Sequence, residues 1–384
     1  MNSPDRKKVK TGLHEYFLYW LVTIILFILA LPVLIFKTGV FLVGATGAPL
    51  KSIKNLLGFV LVLAVLAAGF TAFEIFYPYD IGAERRSITI EEHDSFVHVL
   101  NQLQDNGIIK GTFIFKTAAV ISGVDKVLAP GRYDFAGKIS QYAVLKKLKH
   151  RDIATVMVTI PEGLTVYKTA GILSRNLGID SAIFVGLCFD TADTRDKYGT
   201  DGLEGYLFPE TYRLWYGIKP EDIIAVMVAE FNRQTAGLFD NPPEKLASKN
   251  QITTLASIIE AEAVLDEEKT KISSVYHNRL RIGMLLQADP TVIYALGGLD
   301  RPLYYADLKY DSPYNTYKYK GLPPGPINSP GLAAIRAALN PEQTDFLYFV
   351  ADGSGGHVFS TTLNEHNRAK YRIKKARKSG NKST

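Results

Sequence analysis

The sequence predicts an α+β chain: N-terminal transmembrane helices, then a small α/β domain, then a mostly helical domain closed by a C-terminal β-hairpin. Three observations predict it. Two uncharged apolar stretches lie within the first 80 residues, strand-like alternation broken by helical periods follows, and helical periods dominate from residue 161 until two β-prone runs flank a glycine cluster. At 384 residues and 47% hydrophobic, the chain is too apolar for disorder and long enough for two globular domains beside an anchor.

Residues 1–80 are the expected anchor, with spans at 16–36 and 56–76. Residues 16–36 and 56–73 carry no charge, and each stretch is long enough for a bilayer core of about 30 Å. The first is too long and too aromatic for a cleaved signal peptide. Arg6, Lys7, Lys8 and Lys10 argue for a cytoplasmic N-terminus, whereas Lys37, Lys51 and Lys54 argue for a cytoplasmic connector. Two spans put the rest of the chain on the N-terminal side; one span puts it opposite.

Residues 81–160 read as a small α/β unit. The strand "SITI" precedes a helix with apolar positions Phe96, Val99, Leu100 and Leu103 at helical spacing, and "NGII" stops it. "APGRYDF" turns into a strand, "QYAVLKKLKH" is a helix with basic residues at its end, and "TVMVTI" is a further strand. The second domain, 161–370, has helices expected near 165–177, 181–188, 220–236 and 250–264, then one opened by Asp266–Glu268. Asp289 reads as an N-cap with Pro290 at the first helical position, and Ser329 and Pro330 repeat the pattern. "DFLYFVADGSGGHVFST" reads as the hairpin, and Thr362 and Glu365 match a capping box. Residues 371–384 form a basic tail, a solvated terminus or a contact for anionic lipid.

Cys188 is the sole cysteine, so an intramolecular disulfide framework and a cysteine metal cluster are excluded. The net charge of +6 sits largely in the tail, with no patterned basic face for nucleic acid. No HExxH pattern or paired metal ligands occur, and no cofactor is expected.

The stretch "LASIIEAEAV" places two glutamates in an apolar run. At about 100° per residue from Leu255, Glu262 falls near −20°, inside the apolar stripe, and Glu260 near 140°, on the opposite face. Burial predicts a raised pKa for Glu262, which suits a general acid, while Glu260 should be an ordinary surface carboxylate. The competing reading makes Glu262 a core carboxylate tied to Arg279 or to backbone donors.

"LASIIEAEAVLDEEKTKISSVYHNRLRIGMLLQADPTVIYALG" resembles the signature of the bacterial endolytic murein transglycosylases of the MltG (YceG-like) family. "GLEGYLFPETYRL", "SPYNTYKYKGLPPGPINSPG" and "FLYFVADGSGGHVFS", where Phe346 replaces a Tyr, are similar to further blocks of that family in the same order. Residues 88–150 are similar, more weakly, to its LysM-like domain. The resemblance implies a lysozyme-like catalytic domain at 161–370 and maps the essential glutamate to Glu262. Ala263 departs from the Thr, Ser or Gly often found after that glutamate, and the second hydrophobic segment departs from the usual single anchor.

The implied reaction is that of a lyase. One acid protonates the MurNAc–GlcNAc glycosidic oxygen of a nascent peptidoglycan strand, and its carboxylate then takes the 6-hydroxyl proton as a 1,6-anhydro-MurNAc end closes. This limits strand elongation at the outer face of the bacterial cytoplasmic (inner) membrane, beside the cell-wall synthases of elongation or division. Gln287, Asn315, Tyr317 and Asn328 lie in the loops around the glutamate helix and are candidates to bind substrate. Gln287 and Asn328 could equally hold loop backbone. Glu260, Asp289 and His357 are possible supporting residues, with Asp289 better explained as a cap and His357 as a strand residue. Tyr314, Tyr317 and Tyr319 suit either a sugar-stacking wall or a half-buried strand. Two rival readings stand beside this one: a muramidase-type hydrolase with a second carboxylate at Glu204 or Glu210, and a non-catalytic wall-binding scaffold indifferent to Glu262→Gln.

Overall fold

The computed structural model describes residues 53–380 apart from residue 244, so the expected span at 16–36 lies outside the described residues. By packing, the chain divides into two units, 1–153 and 154–384. The architecture is mixed α+β, mostly helical, with four two-stranded antiparallel sheets among the described residues.

In the first unit, α1 (Ile53–Phe76) runs into β1 (Tyr79–Asp80). Among the described residues, no helix is long and apolar enough to cross a membrane. The C-terminal end of α1 docks on its own unit, where Gln141 Nε2 donates to the Glu74 carbonyl at 3.1 Å and the Phe76 and Tyr142 rings lie 4.9 Å apart. Strand β2 (Arg86–Ile90), α2 (Phe96–Asp105), α3 (Thr112–Ser122) and β3 (Gly131–Phe135) follow, then β4 (Lys138–Ile139) and α4 (Gln141–Lys149). β2 pairs with β3 from Arg86↔Phe135 to Ile90↔Gly131, and β1 pairs with β4. Helix α3 was not anticipated: its apolar residues Phe113, Val120 and Ile121 are exposed, which blurs the period that marks an amphipathic helix. Ser95 and Ser140 cap α2 and α4, and Ile88, Leu103, Phe115, Tyr133 and Leu148 fill the core.

The second unit begins with β5 (Thr155–Thr159), which the sequence reading grouped with the first; it pairs with β6 (Thr211–Trp215) instead. Between them lie α5 (Val166–Leu177), α6 (Ser181–Phe189) and α7 (Thr191–Tyr198), N-capped by Thr165, Asp180 and Asp190. Then come α8 (Pro220–Gln234), α9 (Lys249–Glu262), α10 (Lys269–Ile282), α11 (Asp289–Ala295) and α12 (Leu332–Leu339). The β7 (Tyr348–Ala351) and β8 (His357–Ser360) hairpin precedes α13 (Leu363–Gly380), which carries the basic tail on as helix. The capping box is present: Glu365 N donates to Thr362 Oγ1 at 3.2 Å and Thr362 N to Glu365 Oε2 at 3.2 Å.

Helix α9 is the axis of this unit. Every residue from Ile252 to Ile259 is buried, and α10, α11 and α12 pack around it. Its polar members are satisfied internally. Thr253 and Thr254 donate to the carbonyls of Lys249 and Asn250, and Ser257 donates to Thr254 while accepting from Ile327 N at 3.0 Å.

Candidate active site

Because α9 is enclosed on all sides, its two carboxylates do not divide into a core face and a water face. Glu260 is held in an ion pair with a buried lysine. Lys269, 3% exposed, places Nζ 3.1 Å from Glu260 Oε2, which also accepts from Gly331 N at the start of α12 at 3.1 Å. The same ammonium lies 2.8 Å from Asp266 and 3.8 Å from Glu162. The expectation of an ordinary surface carboxylate at 260 is therefore overturned. A projection from one apolar stripe assumes a helix with one wet side, and α9 has none until its last turn.

Glu262 is the last residue of α9 and only partly covered. Its Oε1 accepts a hydrogen bond of 3.1 Å from Tyr276 Oη on α10. Burial pushes the Glu262 carboxyl up to about 7; the Tyr276 hydrogen bond opposes this, the negative charge of Asp289 adds to it, and the Arg279 charge opposes it. Tyr276 is 1% exposed and packs edge-on against Phe349 of β7, with centroids 5.9 Å apart. Its hydroxyl supplies the partner that Ala263 cannot. The sequence reading gave Tyr276 no part in the site; a tyrosine on an apolar helix face, whose hydroxyl needs a partner, was the available signal. Arg279 makes no ion pair with Glu262: its Nε donates to the Leu347 carbonyl at 2.7 Å and its Nη1 to the Leu286 carbonyl at 2.5 Å, tying two loops around the site.

Asp289 does not cap α11. Ala288 occupies the N-cap, held by Thr316 Oγ1 at 3.0 Å from Ala288 N and by Thr291 Oγ1 at 2.7 Å from its carbonyl. With the helix start held by threonines, Asp289 is free to accept the Tyr317 hydroxyl at 2.5 Å, and that phenol's pKa is raised by burial and by Asp289. Its neighbour Gln287 has φ of 50°, a left-handed backbone uncommon outside glycine, and an exposed side chain. Glu262, Tyr276, Asp289 and Tyr317 thus form one electrostatically connected group, with Gln287 at its edge.

The other candidates serve the frame. Asn315, fully buried, donates through Nδ2 to the carbonyls of Leu308 and Tyr310 at 2.9 and 2.7 Å and accepts Tyr317 N at 2.9 Å. Asn328 donates to the Ser257 carbonyl at 2.9 Å, fastening the "PPGPIN" loop to α9. His357 Nδ1 lies 2.7 Å from Glu268 Oε2, and its backbone N–H donates to Oε1 at 2.9 Å, which anchors the hairpin.

Glu204 is 5% exposed, accepting from Val166 N at 3.1 Å and Tyr294 Oη at 3.3 Å, and burial pushes it up to about 8. The adjacent Gly205 lies against Thr253 of α9 and Pro326. Glu210 is exposed and accepts from the amide of Thr211 at 2.8 Å.

A fold that encloses one helix and leaves a single poised carboxyl group at its open end defines an acid–base site of the kind that glycan-cleaving enzymes use. The YceG-like family model matches residues 88–372. A protein of Bacillus subtilis named endolytic murein transglycosylase is 34% identical over 301 residues, covering 74% of this chain and 83% of that protein. A Streptococcus pneumoniae protein of the same name is 28% identical over 351 residues, covering 81% of this chain, and the match spans 64% of its own length. The crystal structure of a YceG-like protein from Listeria monocytogenes superposes with a TM-score of 0.52 at 32% identity, covering 75% of this chain and 99% of that one. The chain belongs to the YceG-like family.

Proposed function

We propose that this chain is an endolytic murein transglycosylase, a lyase that cleaves peptidoglycan glycan strands with Glu262 as acid and then base. The observation that carries the reading is a carboxyl group held near neutrality at the open end of a buried helix, with the Tyr276 hydroxyl to orient it. In its protonated form Glu262 donates to the glycosidic oxygen between MurNAc and GlcNAc. The resulting carboxylate, basic because it is poorly solvated, takes the proton from the 6-hydroxyl as that oxygen closes on the anomeric carbon. Tyr317, paired with Asp289, and the Gln287 amide are the polar groups at hand for the oxocarbenium-like state.

One observation favours a second reading, a hydrolase. Asp289 lies close enough to raise the Glu262 pKa and would be the base for a water molecule. Glu204 is engaged by the Val166 amide and the Tyr294 hydroxyl, as a structural carboxyl would be. Mass spectrometry of released fragments separates the readings. Anhydromuramyl ends abolished by Glu262→Gln support the transglycosylase, reducing ends point to the hydrolase, cleavage unaffected by Glu262→Gln rejects Glu262 as the acid, and an absence of released fragments from the unsubstituted protein favours a wall-binding scaffold.

The wider setting is also proposed. Residues 1–80 anchor the protein in the bacterial cytoplasmic membrane with the second unit outside. This rests on the two uncharged stretches and on the exposed apolar residues Val60, Leu61, Leu66, Phe70 and Phe73 of α1. The LysM-like reading of the first unit rests on two paired strands enclosing two helices, and the lysozyme-like reading of the second on its mostly helical make-up with Glu262 at the end of the core helix. Cell-wall synthases of the elongation or division machinery are the proposed partners, as the family resemblance implies.

A further inference from the structure

The segment from Leu299 to Gly321, between α11 and the "PPGPIN" loop, contains six tyrosines: Tyr304, Tyr305, Tyr310, Tyr314, Tyr317 and Tyr319. Tyr314 and Tyr317 face inward, Tyr314 against Tyr294 with centroids 5.0 Å apart and Tyr317 on Asp289. The other four are presented to solvent: Tyr304 is 56% exposed, Tyr305 89%, Tyr310 45% and Tyr319 47%. Rings of this size are seldom left bare without a use, because each forfeits its apolar burial.

The segment that holds them is braced. Arg301 forms a two-pronged pair with Asp307 at 2.7 and 2.9 Å and stacks over the Tyr304 ring at 4.9 Å; Asp307 also accepts Tyr304 N at 2.8 Å. Asp311 accepts both the Tyr319 hydroxyl and Lys318 Nζ at 2.7 Å. Asn315 joins the segment to the site, because the same amide that grips the Leu308 and Tyr310 carbonyls positions the backbone of Tyr317. The exposed rings therefore belong to a braced segment that is linked to the site through Asn315, Tyr317 and Asp289.

We propose that this tyrosine segment is a glycan-binding platform that holds saccharide units of the strand away from the scissile bond, with Tyr304, Tyr305, Tyr310 and Tyr319 stacking on sugar rings. Pyranose faces present C–H groups that pack on aromatic rings while their hydroxyls and the lactyl substituent of MurNAc stay in water, so neutral phenols suffice for the contact. A surface of this kind makes an enzyme prefer the interior of a long strand to its end. The platform rests on the transglycosylase reading, and its contribution is chain-length preference.

The test uses the full-length protein in detergent with peptide-free glycan strands, long or trimmed to the shortest fragment cleaved. Tyr305→Ala combined with Tyr310→Ala should lower kcat/KM on long strands by about ten-fold or more, through KM, and by at most about two-fold on the short fragment, each lost stacking face contributing about a five-fold factor. Tyr371→Ala, an equally bare tyrosine on α13, should change neither. Binding of the Glu262→Gln protein to long strands, measured by co-sedimentation, should weaken by a similar factor when the two alanines are added. Equal losses on long and short substrates, or no loss in co-sedimentation, would overturn the platform while leaving the role of Glu262 standing. Cleavage that survives Glu262→Gln would instead remove the reading on which the platform rests.

Discussion

Activity should fall with rising pH, because Glu262 must carry a proton to donate one. With its pKa at about 7, the protonated fraction drops to about one tenth at pH 8 and about one hundredth at pH 9, so kcat/KM should decline about ten-fold per unit on the alkaline side. Two neighbours pull on that limb in opposite directions. Asp289→Asn removes a negative charge that disfavours the carboxylate, so the limb should move to lower pH, by about half a pH unit for one like charge acting through solvent. Tyr276→Phe removes a hydrogen bond that favours the carboxylate, so the limb should move to higher pH even as the lost orientation slows the reaction. The assay is release of soluble fragments from glycan strands at subsaturating concentration, followed from about pH 5 to about pH 9, so that the profile reports the free enzyme. A flat profile through pH 9, or a limb that both variants shift the same way, would refute the assignment of that proton to Glu262.

Lys269→Met should destabilise the protein by about 3–5 kcal/mol, since Glu260 keeps its buried charge and loses its counter-ion, and adding Glu260→Gln should restore part of the loss. At about 2–4 °C per kcal/mol for a unit of this size, thermal melting resolves the difference. Glu204→Gln should cost under about 1 kcal/mol near neutral pH, where the native acid is largely protonated, whereas Glu204→Ala leaves Tyr294 Oη and Val166 N without partners and should cost about 2–5 kcal/mol. Because the folded pKa of about 8 exceeds the ordinary 4.5, the Glu204 contribution is fully present below about pH 4.5 and lost as pH rises toward 8; denaturant midpoints across that window should slope less in the Gln variant. Gly205→Ala should cost about 3 kcal/mol by the same melting assay, as φ is +87° and a Cβ would stand 2.4 Å from that of Pro326.

The helices of the second unit were legible because their apolar residues recur at helical spacing: α5 and α6, bracketed by Thr165 with Gly178 and by Asp180, fall close to the expected 165–177 and 181–188. The hairpin and the Thr362–Glu365 box were equally plain. What periodicity could not supply was the environment of individual polar side chains. Glu260 and Glu262 looked different for a reason that proved inverted in part: Glu260 lies on the far side of the stripe, but that side faces Lys269 and α12, not water. Asp289 followed by Pro290 has the local form of a cap, yet the need at Ala288 is met by Thr291 and by Thr316 from a loop 28 residues away, a non-local fact no window contains. The pairing of β5 with β6 is hidden for the same reason, with three helices intervening.

The position of Glu262 as the final residue of α9 has one more consequence. The unpaired carbonyls at a helix C-terminus carry a partial negative charge, and a proton on a carboxyl group there relieves the repulsion. The backbone of the core helix itself thus helps keep the acid loaded, and the same field makes the spent carboxylate eager to regain its proton. Sliding the glutamate back by a turn would bury it among the Ile258 and Ile259 contacts and take it out of that field, so a motif read as a string of letters is, in electrical terms, a fixed address at the negative pole of the second unit's core helix.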